Sequence, residues 1–159
     1  MSNGKTHFNF IKLTIPLLII ILILLSKKFN FKHPIFFISL IIIFYYLGGY
    51  FFSPDLDIKS KPYNNWKYLK FIWYPYQKLI PHRSILSHGI FIGTTIRLLY
   101  LYLIFSIIYS ITFNVSLNYI IINTFHFVYE KFYIFFPIFL GLELSSLNHI
   151  FLDKFSHKK

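Results

Sequence analysis

Seven side chains of metal-ligand type stand at the edges of long apolar runs: His7, Asp55, Asp57, His82, His88, His149 and Asp153. Imidazole nitrogen and carboxylate oxygen together suit Zn, Mn or Fe, and the lack of cysteine removes both thiolate sites and disulfides. Three local spacings bear on whether these donors can share an ion. In an extended segment, Asp55 and Asp57 would point the same way and could face one cation. The same stretch also reads as an ordinary helix start, with Ser53 as N-cap, Pro54 in the first helical position and Asp55 in the first turn. His82 and His88 would be about 120° out of phase on one helix. They converge only if Ser84 caps the helix, leaving His82 in the loop and His88 in the first turn. The plainer alternative is two interfacial histidines facing water. His149 and Asp153 are spaced i, i+4, one above the other on a helix face. That suits two ligands of one metal, an Asp that orients a His, or a surface ion pair at a helix end.

These residues need elements to position them, and composition says what kind. The chain of 159 residues is 56% hydrophobic and 23% aromatic, with mean hydropathy +0.59. A single core of this size cannot hide that much apolar surface from water. Four apolar stretches approach or exceed the ~20 residues that cross a hydrocarbon core, at about 10–25, 34–52, 85–113 and 132–152. The expected architecture is therefore all-α, one domain over 1–159: an integral membrane four-helix bundle with an interfacial aromatic and basic loop at 53–84. A further apolar piece, 119–127, is too short to cross and reads as re-entrant, interfacial or a prolongation of the fourth helix. The first stretch has a basic start but no small-residue cleavage signal after it, and reads as an uncleaved anchor.

With four crossings, both termini and the 53–84 loop share one side. Ten basic residues lie on that side against Lys27, Lys28, Lys32 and Lys131 on the other, which predicts that the termini are cytoplasmic, or stromal in a plastid. All seven candidate ligands fall on this basic side, and ionisable groups gathered on one side at membrane depth form a site hypothesis by default. The net charge of +11 flanks the apolar runs and forms no separate stripe, so anionic lipid is the expected counter-charge and nucleic acid is not. Both tryptophans, Trp66 and Trp73, sit among Tyr and Lys in the loop, a composition that favours the head-group zone. Arg97 and Glu143 are sunk into the third and fourth spans, where a bare charge is costly. They are expected to pair, or Arg97 to snorkel and Glu143 to be protonated.

Several strings resemble a known family: Ser2-Asn3-Gly4-Lys5-Thr6-His7, Ser53-Pro54-Asp55-Leu56-Asp57-Ile58-Lys59-Ser60, Trp73-Tyr74-Pro75-Tyr76-Gln77-Lys78, His82-Arg83-Ser84-Ile85-Leu86-Ser87-His88-Gly89, Gly93-Thr94-Thr95-Ile96-Arg97-Leu98-Leu99-Tyr100, Gly141-Leu142-Glu143-Leu144 and His149 with Asp153. As a set they resemble the metal-binding membrane family of cyanobacteria and plastids, which looks related to inner-membrane metal-dependent hydrolases. The resemblance covers nearly the whole chain and implies a metal site near one membrane face. One departure is that Phe8 and Asn9 follow His7, where the family pattern has an acidic residue.

The resulting expectation is a divalent-metal membrane protein. As an enzyme it would hydrolyse a lipid or lipid-linked ester, with Asp55, Asp57 or Asp153 as general base. As a non-enzymatic assembly factor it would hold a structural metal. As an ion carrier it would use Glu143 and Arg97 along a path.

Overall fold

The computed structural model describes residues 4–156, with side chains described for residues 9–155. The chain runs through α1 (Gly4–Lys28), α2 (Pro34–Phe51), a 3-10 turn (Pro54–Asp57), α3 (Lys61–Asn65), a second 3-10 segment (Lys67–Trp73), α4 (Tyr74–Leu79), α5 (Ile85–His88), α6 (Ile92–Phe113), α7 (Leu117–Glu130) and α8 (Phe132–Ser156). The fold is all-α among the described residues. Helices α1, α2, α6 and α8 are long and apolar enough to cross a membrane. Their outer faces leave Leu13, Ile35, Leu103 and Ile111 largely exposed, a surface suited to hydrocarbon.

Two boundaries differ from the sequence expectation. The third span starts at Ile92, because the chain breaks after His88 and passes through Gly89–Phe91 before α6 begins. The 119–127 piece is not a prolongation of the fourth helix. It belongs to a separate helix, α7, which Ser116 caps by accepting from Tyr119 N at 3.3 Å, and which ends before Lys131. At 14 residues α7 is about 21 Å long, short of a crossing.

Helices α2 and α8 make the most extensive contact and run parallel, Ile41 lying beside Gly141 and Gly48 beside Ser145. Small residues allow this. A Cβ on Gly141 would stand 2.5 Å from the Ile41 carbonyl oxygen, so only glycine lets the two backbones approach. Helix α1 is tied to the pair by a partly buried polar knot in which the Tyr45 hydroxyl meets Thr14 Oγ1 and accepts from Asn148 Nδ2 at 2.7 Å.

The 53–84 loop folds into a small cap with its own core of Leu56, Tyr63, Ile72, Trp73 and Tyr76, closed below by Leu101 of α6. Trp73 is fully buried rather than facing head groups, whereas Tyr68 and Phe71 are exposed. The cap satisfies the open carbonyls at the end of α2: Asn65 Nδ2 donates to Tyr50 O at 2.8 Å and Trp66 Nε1 to Phe51 O at 2.9 Å. Gln77 Nε2 donates to Leu56 O at 3.1 Å and Ile58 O at 2.9 Å, fixing the turn that carries Asp55 and Asp57.

Candidate metal centre

Pro54 sets the backbone for a tight turn after α2, and Pro54–Asp57 winds as a 3-10 helix. At three residues per turn, side chains two apart diverge. Asp55 and Asp57 therefore do not face a common point, as an extended segment would require. They stand on opposite edges of the His88 ring: Asp55 Oδ1 is 3.6 Å from His88 Nε2, and Asp57 Oδ2 is 3.6 Å from His88 Nδ1.

His88 is delivered by α5. Ser84 holds the N-cap position, so His82 precedes the helix and His88 ends its single turn, as the spacing predicts. Helix α8 brings the other pair. His149 Nε2 lies 3.3 Å from Asp55 Oδ1 and 3.4 Å from Asp153 Oδ2.

Two overlapping groups result. Asp55, His88, His149 and Asp153 place one donor atom each within 4.8 Å of one another, and Asp57, His82 and His88 do the same. In the first group the side chains are 19%, 11%, 4% and 18% exposed, so the donors are largely sheltered from solvent. In the second group Asp57 is fully buried. It accepts from the backbone N–H of Arg83 at 3.3 Å and lies 3.0 Å from His82 Nδ1.

The first group fits a divalent cation on three counts. Two carboxylates converge on one imidazole nitrogen, whose single proton points in one direction only. His88 Nε2 is buried and has no hydrogen-bond partner. Three of the six donor separations, 3.3, 3.4 and 3.6 Å, are close to the edge, about 3.4 Å, of a tetrahedron of N and O donors around zinc, and all six lie within 4.8 Å. The outward nitrogens are held as well. His88 Nδ1 meets Ser87 Oγ at 2.8 Å and His149 Nδ1 meets Ser53 Oγ at 3.3 Å, the arrangement that fixes ring orientation at metal sites.

Six of the seven residues singled out from sequence are thus brought together; the His7 side chain lies outside the described residues. The two serines are additions. Ser53 does not cap the turn with its side chain but faces His149. Ser87 carries no signal beyond standing next to His88.

Arg97 and Glu143 do not pair with each other, and Arg97 does not snorkel to the surface. Both are buried, at 0% and 1% exposure, and no ion pair joins them among the described residues. Arg97 donates to Ser87 O at 2.8 Å, Thr94 Oγ1 at 3.0 Å and Ser146 Oγ at 2.7 Å. Glu143 Oε1 accepts from Phe91 N at 2.8 Å.

Comparisons with known proteins place the chain in a metal-binding family. A family model described as "Uncharacterized metal-binding protein (DUF2227)" matches residues 2–159. An uncharacterised protein of Aquifex aeolicus (strain VF5) is 50% identical over 58 residues, which is 36% of this chain and 40% of the relative. The chain thus covers well under half of that relative's length. No solved structure matches the chain significantly. With donors from three separate elements meeting at one helix end and the family model spanning all but the first residue, the chain belongs to the uncharacterized metal-binding protein family DUF2227.

Proposed function

We propose that this protein is a multi-pass membrane protein that binds a divalent metal through Asp55, His88, His149 and Asp153 and hydrolyses a lipid or lipid-linked ester at that membrane face. The observation that carries the reading is the four-donor cluster itself. Two nitrogens and two oxygens favour Zn, Mn or Fe. Such an ion supplies Lewis acidity and lowers the pKa of a bound water. Asp55, a donor that keeps partial solvent access, is the catalytic carboxylate in this reading. Asp57 positions His88 and His82 from its buried place behind them. The lipid assignment is supported by an apolar cavity of about 490 Å³, whose lining includes Phe44, Phe51, Phe52, Trp66 and Leu142. Phe51 and Phe52 lead directly into the turn that carries Asp55. The basic excess on this side supports a cytoplasmic or stromal face and contact with anionic lipid. The absence of alanine and the sequence resemblance support a cyanobacterial or plastid source and kinship with inner-membrane metal-dependent hydrolases.

A structural role for the metal is the second reading. It is favoured by the number of protein donors, since four complete a tetrahedral shell and tie the α2 turn, α5 and α8 together. One experiment separates the two. Detergent-purified protein is assayed for metal content and for release of fatty acid from phospholipid and acyl-ester micelles, beside Asp55→Asn and His149→Ala. Hydrolysis by wild type that disappears in folded Asp55→Asn supports the enzyme. Bound metal with no hydrolysis, and unfolding when the metal is stripped, supports the structural tie. Wild-type protein free of metal above background overturns both.

A further inference from the structure

The chain between α5 and α6 is held at both ends by buried polar side chains, and His88 sits between them. On one side, the Arg97 guanidinium donates to the Ser87 carbonyl oxygen at 2.8 Å. That carbonyl is folded back onto α6, where a Cβ on Gly93 would meet it at 2.4 Å. Arg97 is fixed in turn by Thr94 and by Ser146 of α8, whose hydroxyls are 3.1 Å apart. Tyr76 of the cap lies beside the guanidinium. Its phenol is pushed up to about 12, chiefly by burial, so it stays neutral. On the other side, Glu143 accepts from the backbone N–H of Phe91 at 2.8 Å. Phe91 has φ 60° and ψ −42°, a positive-φ backbone that a bulky residue does not adopt unless its surroundings impose it.

Burying a guanidinium and a carboxylate in an apolar bundle is costly, and a pair in direct contact would be the simplest compensation. These two instead each hold a backbone group on either side of Ser87-His88-Gly89-Ile90-Phe91. The Ser87 hydroxyl then meets His88 Nδ1 at 2.8 Å, which links the Arg97 anchor to the imidazole.

We infer that Arg97 and Glu143 are positioning residues for the metal site, clamping Ser87 and Phe91 so that His88 presents Nε2 to Asp55, His149 and Asp153. The inference rests on the metal-binding reading above and adds two residues that touch no donor atom of the site.

The test uses Co²⁺ as a spectroscopic stand-in, titrated into full-length protein in detergent, with affinity and visible absorption both recorded. Glu143→Leu is expected to weaken Co²⁺ binding by about 10–100-fold, as losses behind a ligand do, and to shift the ligand-field bands. Glu143→Gln keeps an acceptor for Phe91 N–H and is expected to restore most of the affinity and the wild-type spectrum. Arg97→Met is expected to behave like Glu143→Leu. Should either variant fail to fold, the single changes Thr94→Val and Ser146→Ala each remove one Arg97 acceptor while leaving Arg97, Glu143 and the Ser87 carbonyl contact in place, and a shifted spectrum in either supports the clamp. Wild-type binding together with unaltered affinity and spectrum in the folded variants overturns this inference alone. An absence of Co²⁺ binding by wild type overturns the metal reading and the clamp with it.

Discussion

The same short pattern occurs twice in this chain with opposite outcomes. His126 and Glu130 on α7 are spaced i, i+4 and lie 3.3 Å apart; His149 and Asp153 on α8 have the same spacing at 3.4 Å. The α7 pair is 73% and 56% exposed, whereas the α8 pair is 4% and 18% exposed. Helix geometry makes both pairs and cannot tell them apart. What differs is the company. On α7 no residue is buried, and none of its neighbours enters a group of donors. On α8 the parallel packing against α2 brings the following turn, and with it Asp55, onto His149, while α5 adds His88. A His–carboxylate pair becomes a candidate site when other segments supply the remaining donors and exclude most of the water.

That contrast can be broken or sharpened experimentally. The largest expected effect is from His149→Ala, which should abolish tight divalent-metal binding, while His126→Ala leaves the bound metal unchanged; elemental analysis of the two purified variants reads this directly. His126→Ala losing the metal would show that the contrast is misplaced. Metal stripping comes next. If the ion binds only the folded state, a concentration one hundred times its Kd adds about 2.7 kcal/mol of stability. Thermal unfolding with and without chelator should show that loss in wild type and in His126→Ala, but not in His149→Ala. Asp57→Asn is a step smaller. Removing the carboxylate behind His88 and His82 should weaken metal affinity about 10–100-fold without abolishing it, measured by competition with a chromophoric chelator. The smallest effect is from Glu130→Gln, which breaks an exposed pair and should change stability by no more than about 0.5 kcal/mol, within the error of a denaturation curve.

Acidity gives a further check. Donors must shed protons to bind a cation, so metal affinity should fall as pH is lowered, and the wild-type dependence should be steeper than that of His88→Ala. A pH-independent affinity would argue against imidazole donors.

The inner polar residues teach a related lesson. Arg97 and Glu143 stand out in the sequence because a charge inside an apolar span demands a partner, and mutual pairing is the simplest answer. They take other partners instead: Arg97 the Ser87 carbonyl and the hydroxyls of Thr94 and Ser146, Glu143 the N–H of Phe91 in the α5–α6 connection, a segment that the apolar pattern merges into the third span. Hydropathy does not register the break at Gly89–Phe91, since Ile90, Phe91 and Ile92 are as apolar as the helix that follows. The tryptophans show the converse limit: Trp and Tyr beside Lys fit a head-group belt, yet Trp73 and Tyr76 form the core of the cap.

The amino-acid sequence alone determined the four apolar helices, because backbone in hydrocarbon must satisfy its own hydrogen bonds and a run of about twenty apolar residues can do so only as a helix. It also predicted that the candidate ligands share one end, since an even number of crossings assigns every loop to a side, and six of the seven meet there in the structure. Only the tertiary structure decided which donors meet. The 3-10 turn sends Asp55 and Asp57 to opposite edges of one imidazole, and the parallel contact of α2 with α8 sets their height against His149. These are matters of angles between elements and of ångström-scale approach at Gly48 and Gly141, which residue spacing does not encode.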